Sequence, residues 1–148
     1  MSNFITRVIS LIIVFCMLVI GPLLYSYSIT EMEERRELMN EVTLFLDKVT
    51  DKRSITEDDL AEFALEVASH GMVLQPSVKR LVRTALTTPD GDVIASYIAV
   101  DDLSVLNQKD VVQVTIEEVT SSPYRRALFW ILKIDEGAYH LERAQMVR

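Results

Sequence analysis

Val8 to Thr30 reads VISLIIVFCMLVIGPLLYSYSIT and contains no charged side chain. Val8 to Tyr27 alone supplies about 20 mostly apolar residues, the length that crosses roughly 30 Å of hydrocarbon as a helix. The stretch is therefore read as a membrane span, with Val8, Leu11, Phe15 and Leu18 inside it. Tyr27 sits at its far end, where an amphipathic aromatic ring favours the lipid–water interface. Gly21-Pro22 interrupts the run, which a membrane helix tolerates and which predicts a kink. Arg7 precedes the span, and the net-negative Glu31-Met-Glu-Glu-Arg-Arg-Glu37 comes after it. Positive charge is retained on the cytoplasmic side, so the expectation is a single-pass cell-membrane protein. Its N-terminus is cytoplasmic, its C-terminal domain extracytoplasmic, and its first partner the lipid bilayer. A cleaved signal peptide is the competing reading, with Ser26-Tyr-Ser28 as a small-x-small site. The apolar core exceeds the usual length of about 7–15 residues for such a peptide, which favours retention.

Length and charge constrain the rest of the chain. The 148 residues divide into an anchor over 1–30, a stalk helix and polar break over 31–53, and an α+β domain over 54–148. The part after the anchor is long enough for one modest core. All 22 acidic residues and all but one of the 15 lysines and arginines lie from Glu31 onward, which leaves that part net −8. A domain this acidic excludes nucleic acid as a partner and disfavours adsorption to anionic lipid. Cys16 is the only cysteine, so there is no disulfide within the chain and no metal site built on several thiolates.

Periodicity organises residues 31–148. Leu38, Val42, Phe45 and Val49 recur at helical spacing and form a stripe along a helix over 31–50. That stripe is a helix-packing face for the domain's own sheet, or an assembly face for neighbouring subunits. Thr56 and Asp59 form an acidic capping box, Ile55 and Leu60 a hydrophobic staple, and Glu57-Asp58-Asp59 loads the first turn with negative charge. A helix over 57–69 comes next, with Leu60, Phe63, Ala64 and Val67 on its buried face and Gly71 as its stop. Pro76 closes a short extended piece. Residues 78–87 and 92–100 read as a hairpin about the Pro89-Asp90-Gly91 turn. Val112, Val114 and Ile116 alternate with Gln113, Thr115 and Glu117 in a half-buried strand over 110–118. Ser121-Ser122-Pro123 is a break, 124–132 is ambiguous between a short helix and a buried strand, with a helix favoured, Asp135-Glu-Gly137 is a turn, and 139–147 is a closing strand.

Reactive groups are few. His70 and His140 are the only histidines and lack metal-ligand spacing. The carboxylates of 57–59 read as helix N-terminal charge. Asp90, Asp92, Asp101 and Asp102 could form a Ca²⁺ loop only without the EF-hand spacing. There is no phosphate-binding glycine loop and no nucleophile elbow, so neither an enzyme nor a cofactor is expected. Leu128 to Leu132, with Trp130, is domain core or an exposed patch for a partner or a membrane. Arg125 and Arg126 stand beside it as candidate ligands for phosphate or carboxylate.

Membrane helix, stalk helix, Phe45-Leu-Asp-Lys-Val-Thr-Asp-Lys-Arg-Ser-Ile-Thr-Glu-Asp-Asp-Leu60, a short helix ending Ser69-His-Gly71, a hairpin, Asn107-Gln-Lys-Asp110 before a strand, and a closing Ala144-Gln-Met-Val-Arg148 occur in this order. The order resembles that of small pilin-like, TadE-like pseudopilins of tight-adherence (Tad, Flp-type) pilus and secretion loci in Gram-positive bacteria. The resemblance implies a structural, membrane-anchored minor pseudopilin, whose partners are other pilin-like subunits or secretion-platform proteins, homo-oligomers included. The chain departs from the pilin pattern in having only Gly21 within the span and no Glu before Glu31. An unprocessed membrane component of the same machinery is the second form of this reading. The alternative function is a signal-anchored extracytoplasmic binding or sensing module. The expected fold is α+β: a transmembrane helix continuing into a stalk helix, one short helix, and an antiparallel sheet of about four strands.

Overall fold

The computed structural model describes residues 2–70, 73–87, 90, 92–121, 125–126, 129–130, 133 and 138–148. Helix α1 (Ser2–Phe15), a π-helical stretch (Cys16–Ile20) and helix α2 (Gly21–Lys52) adjoin one another directly. The wide turn has a local cause. Pro22 has no N–H for the carbonyl four residues back, and its ring crowds that turn. The ladder widens by one residue instead, with the Gly21 N–H donating to the Cys16 carbonyl. The pair that predicts a kink is thus accommodated by a change of hydrogen-bond register.

The chain divides into two units, Met1–Glu37 and Leu38–Arg148. The first is helical, with its apolar side chains exposed. The second is an α+β head. It includes the last turns of α2, helix α3 (Glu57–Ala68), and strands β1 (Val73–Thr87), β2 (Val93–Val100), β3 (Val111–Thr120) and β4 (His140–Met146). The strands form one antiparallel sheet in the order β2-β1-β3-β4. The fold is therefore α+β, with a long apolar N-terminal helix, a short helix and a four-stranded antiparallel sheet.

Two periodicities meet in the core. Leu38, Val42 and Val49 are fully buried, and Phe45 and Leu46 nearly so. Val112, Val114 and Ile116, at period two on β3, are fully buried in the same cluster. Helix α3 adds Phe63 and Val67, and the Phe63 ring stacks on Phe45 with centroids 4.2 Å apart. The capping box forms as the sequence predicts: the Asp59 N–H donates to Thr56 Oγ1 while the Asp59 carboxylate accepts from the Thr56 N–H. Between α2 and α3 the chain reverses through Arg53, whose φ is +56°. Its carbonyl accepts from Leu106 N–H, and Ile55 N–H donates to Leu103 O, which ties the 101–106 connection to the helix corner.

One strand boundary needs correction. The sequence reading ends a piece at Pro76 and begins a strand at 78, whereas β1 runs unbroken through Pro76. Over 73–79 only β3 flanks β1, because β2 pairs with it only from Arg80 onward. A proline is tolerated where its missing N–H falls on an unpaired side. Several other readings lie outside the described residues: the stop at Gly71, the hairpin-turn residues Pro89 and Gly91, the Ser122-Pro123 break and the turn over 135–137. Within 124–132, the described residues Arg125, Arg126, Phe129 and Trp130 are helical.

Truncating Phe63 removes a fully buried ring and leaves Phe45 facing a void. Phe63→Ala is expected to destabilise the head by about 3–5 kcal/mol, read from denaturant unfolding of the full chain in detergent.

Candidate functional site

The span residues are exposed. Val8, Leu11, Phe15, Leu18 and Tyr27 are between 42% and 71% exposed. A helix with this many exposed large apolar side chains is long and apolar enough to cross a membrane. The Leu38, Val42, Phe45, Val49 stripe is placed differently. All four side chains are consumed by the head's own core, so of the two uses foreseen for the stripe the structure displays packing within the chain.

Arg125 also turns inward. Its Nη1 lies 2.5 Å from Glu118 Oε2, and the Tyr139 N–H donates to the same oxygen at 3.0 Å. The arginine therefore neutralises a buried carboxylate of its own chain. Arg126 is exposed, and so are Phe129 and Trp130, the latter at 83%. Leu128 lies outside the described residues.

Sequence reasoning missed a second buried pair. Arg80, on β1, donates from Nε to Asp110 Oδ2 at 2.7 Å, and its Nη1 donates to the Asp102 carbonyl at 3.1 Å. Asn107 N–H donates to the same Asp110 oxygen, and Val147 N–H to the Asp110 carbonyl. Both charged side chains are buried. Arg80 lies within the 78–87 hairpin strand, whose reading singles out no buried charge. The available signal was Asn107-Gln-Lys-Asp110, a turn in which Asp110 accepts from the backbone at Asn107. Lys109 adopts φ +73° there.

Asp59 and Asp102 have structural partners. Asp59 accepts from Thr56 and lies 2.7 Å from Lys52 Nζ. Its carboxyl is held well below the usual carboxylate range, by the Lys52 ammonium first and the Thr56 hydroxyl and N–H next. Asp102 accepts from the N–H and hydroxyl of Ser104, closing a local turn, and the same two bonds lower its pKa. His140 lies on β4, 3.7 Å from both Glu117 and Glu142 at the surface. Among the described residues no group of three or more His, Cys, Asp or Glu side chains is arranged to hold a metal ion.

One end of the sheet is apolar on its surface. Register places Val82 opposite Ile98 and Leu86 opposite Ile94 on one face, and Thr87 opposite Val93 and Arg83 opposite Tyr97 on the other. Leu86, Val93, Ile94, Tyr97 and Ile98 are all exposed. An open concavity lined by Arg83, Thr84, Ala85, Val93 and Ala95 lies on this hairpin. The hairpin reading of 78–87 and 92–100 places these residues on strands and does not say whether they are covered. No family model, curated protein or solved structure matches the chain.

Two substitutions test the polar locks. Arg80→Ala strands a buried carboxylate and is expected to cost about 3–5 kcal/mol, whereas pairing Arg80→Met with Asp110→Leu recovers most of that loss. Chemical denaturation of the three chains measures both. The depressed Asp59 pKa has a defined pH signature. The ionised form adds stability that is complete above the unfolded carboxyl's value near 3.8 and is lost as pH falls below it. Asp59→Asn should lower stability at neutral pH by about 1–2 kcal/mol, discounted for its half-exposed lysine partners. It should also flatten the acid limb of the stability–pH curve.

Proposed function

We propose that this protein is a membrane-anchored structural subunit of pilin-like type, held in the cell membrane by its N-terminal helix with the acidic head outside. One observation carries the reading: an exposed apolar helix long enough to span a bilayer passes directly into α2, whose last turns complete the core of a folded head. Such a helix can move from lipid into a bundle of like helices without meeting water, since lipid tails and apolar side chains solvate it similarly. The Leu38–Val49 stripe is taken up within the head, so contacts between subunits would fall to the span. Arg7 on one side and the acidic Glu31–Glu37 segment on the other favour a cytoplasmic N-terminus. The carboxylates described above are engaged in caps, turns and ion pairs, which suits a structural role better than catalysis.

Two measurements in intact cells test this. Photocrosslinkers at Leu11 and Leu18 should yield adducts between copies or with other apolar-helix subunits. Uncrosslinked monomer alone, with the assembly machinery present, contradicts the proposal. In a Cys16→Ser background, a cysteine replacing Val105 should react with an impermeant maleimide from outside, and one replacing Asn3 only after permeabilisation. The reverse pattern overturns the orientation.

A further inference from the structure

The β1–β2 hairpin outruns the rest of the sheet. β1 pairs with β3 only through Leu81, yet it continues against β2 to Thr87. Beyond that point, among the described residues, the two strands pair only with each other, and Leu86, Val93, Ile94, Tyr97 and Ile98 are exposed. A two-stranded ribbon by itself is marginal in water, and natural sheets protect such edges with charge, proline or bulges. β2, VIASYIAV over Val93–Val100, has none of these devices. The opposite edge does: β4 carries His140, Glu142 and Arg143. Half of the backbone N–H and C=O groups along β2 point away from β1, as in any antiparallel edge.

Charge selects the occupant. The uncharged strand is bracketed by exposed Asp90 and Asp92 at one end and exposed Asp101 and Asp102 at the other. A second copy pairing antiparallel would set Asp92 beside its partner's Asp101, and a parallel copy would set like against like. Both stack carboxylates in a chain that is net −8 from Glu31 onward. We propose that the β2 edge receives, by strand addition, an extended uncharged segment of another protein. This segment is rich in β-branched residues and flanked at both ends by lysine or arginine. Backbone hydrogen bonds would supply the affinity, and the acidic brackets the register and selectivity. Such an edge serves a filament subunit and a binding module alike.

The test uses the full chain in phosphatidylcholine nanodiscs. The probe is a synthetic peptide of alternating valine and threonine with two lysines at each end, compared with the same peptide ending in glutamates. The lysine-flanked peptide should bind, should slow amide exchange across Val93–Val100, and should weaken as salt rises. Asp90→Lys combined with Asp101→Lys leaves each end of the strand neutral and should reduce its affinity about tenfold or more and erase the preference for the lysine-flanked peptide, with β3 exchange unchanged as the control for folding. The proposal is overturned by no binding or no protection of β2, by equal binding of both peptides, or by indifference to that loss of charge. Self-association abolished by Ile98→Lys would assign the edge to a second copy and would also overturn it.

Discussion

A single run of helix carries two kinds of apolar face. Its first part offers exposed Val, Leu, Ile and Phe side chains. Its last turns are the lid of the sheet, where Leu38, Val42, Phe45 and Val49 meet Val112, Val114 and Ile116. Each such side chain, fully buried, gains about 1.5–3 kcal/mol relative to exposure. The head thus depends on α2 as much as on its strands, and without those turns the inner face of β3 would lie open. The same dependence couples anchor to head in sequence: a change that ends the helix near residue 38 uncovers the core as well.

Polar interactions fix what apolar burial leaves free. Hydrophobic contact is non-directional, so the connections need geometry. Asp59 closes the corner between α2 and α3, and Arg80 with Asp110 pins the 101–110 connection to the sheet. The final strand is stitched to the same turn by Lys109 N–H to Val147 O and Val147 N–H to Asp110 O. Glu118 and Arg125 do similar work at the other end of β3. These buried pairs bring register and closure more than net stability, because desolvating each charge offsets much of its attraction.

The legible parts of the fold were those governed by local rules. Helix α3 was readable because Thr56 and Asp59 close a capping box with a sequence signature, and Ile55 and Leu60 both pack into the core. β3 was readable because Val112, Val114 and Ile116 alternate cleanly. The extent of β1 was not, since whether Pro76 breaks a strand depends on which neighbour lies beside it. Arg80 and Arg125 carried no local sign of burial, because their partners lie 30 and 7 residues away and the pairing is made by topology. The Leu38–Val49 stripe was recognisable as an apolar face, but periodicity cannot say whether a face meets its own sheet or another chain. The exposed hairpin was hidden for the same reason: a turn flanked by strand-forming residues describes a hairpin and says nothing of what covers it.

Residues 8–27 decide the matter by where they reside, since exposed apolar side chains there make sense in lipid and not in water. Spin labels at Leu11, Phe15 and Leu18, with others at Leu44 and Val105, can report this by power-saturation electron paramagnetic resonance on the Cys16→Ser chain in nanodiscs. The first three should relax with dissolved oxygen and be shielded from a water-soluble nickel chelate, while Leu44 and Val105 show the opposite. Contact of the first three with the nickel chelate, or shielding of all three from both agents by the protein's own fold, would contradict the assignment of this helix to the bilayer.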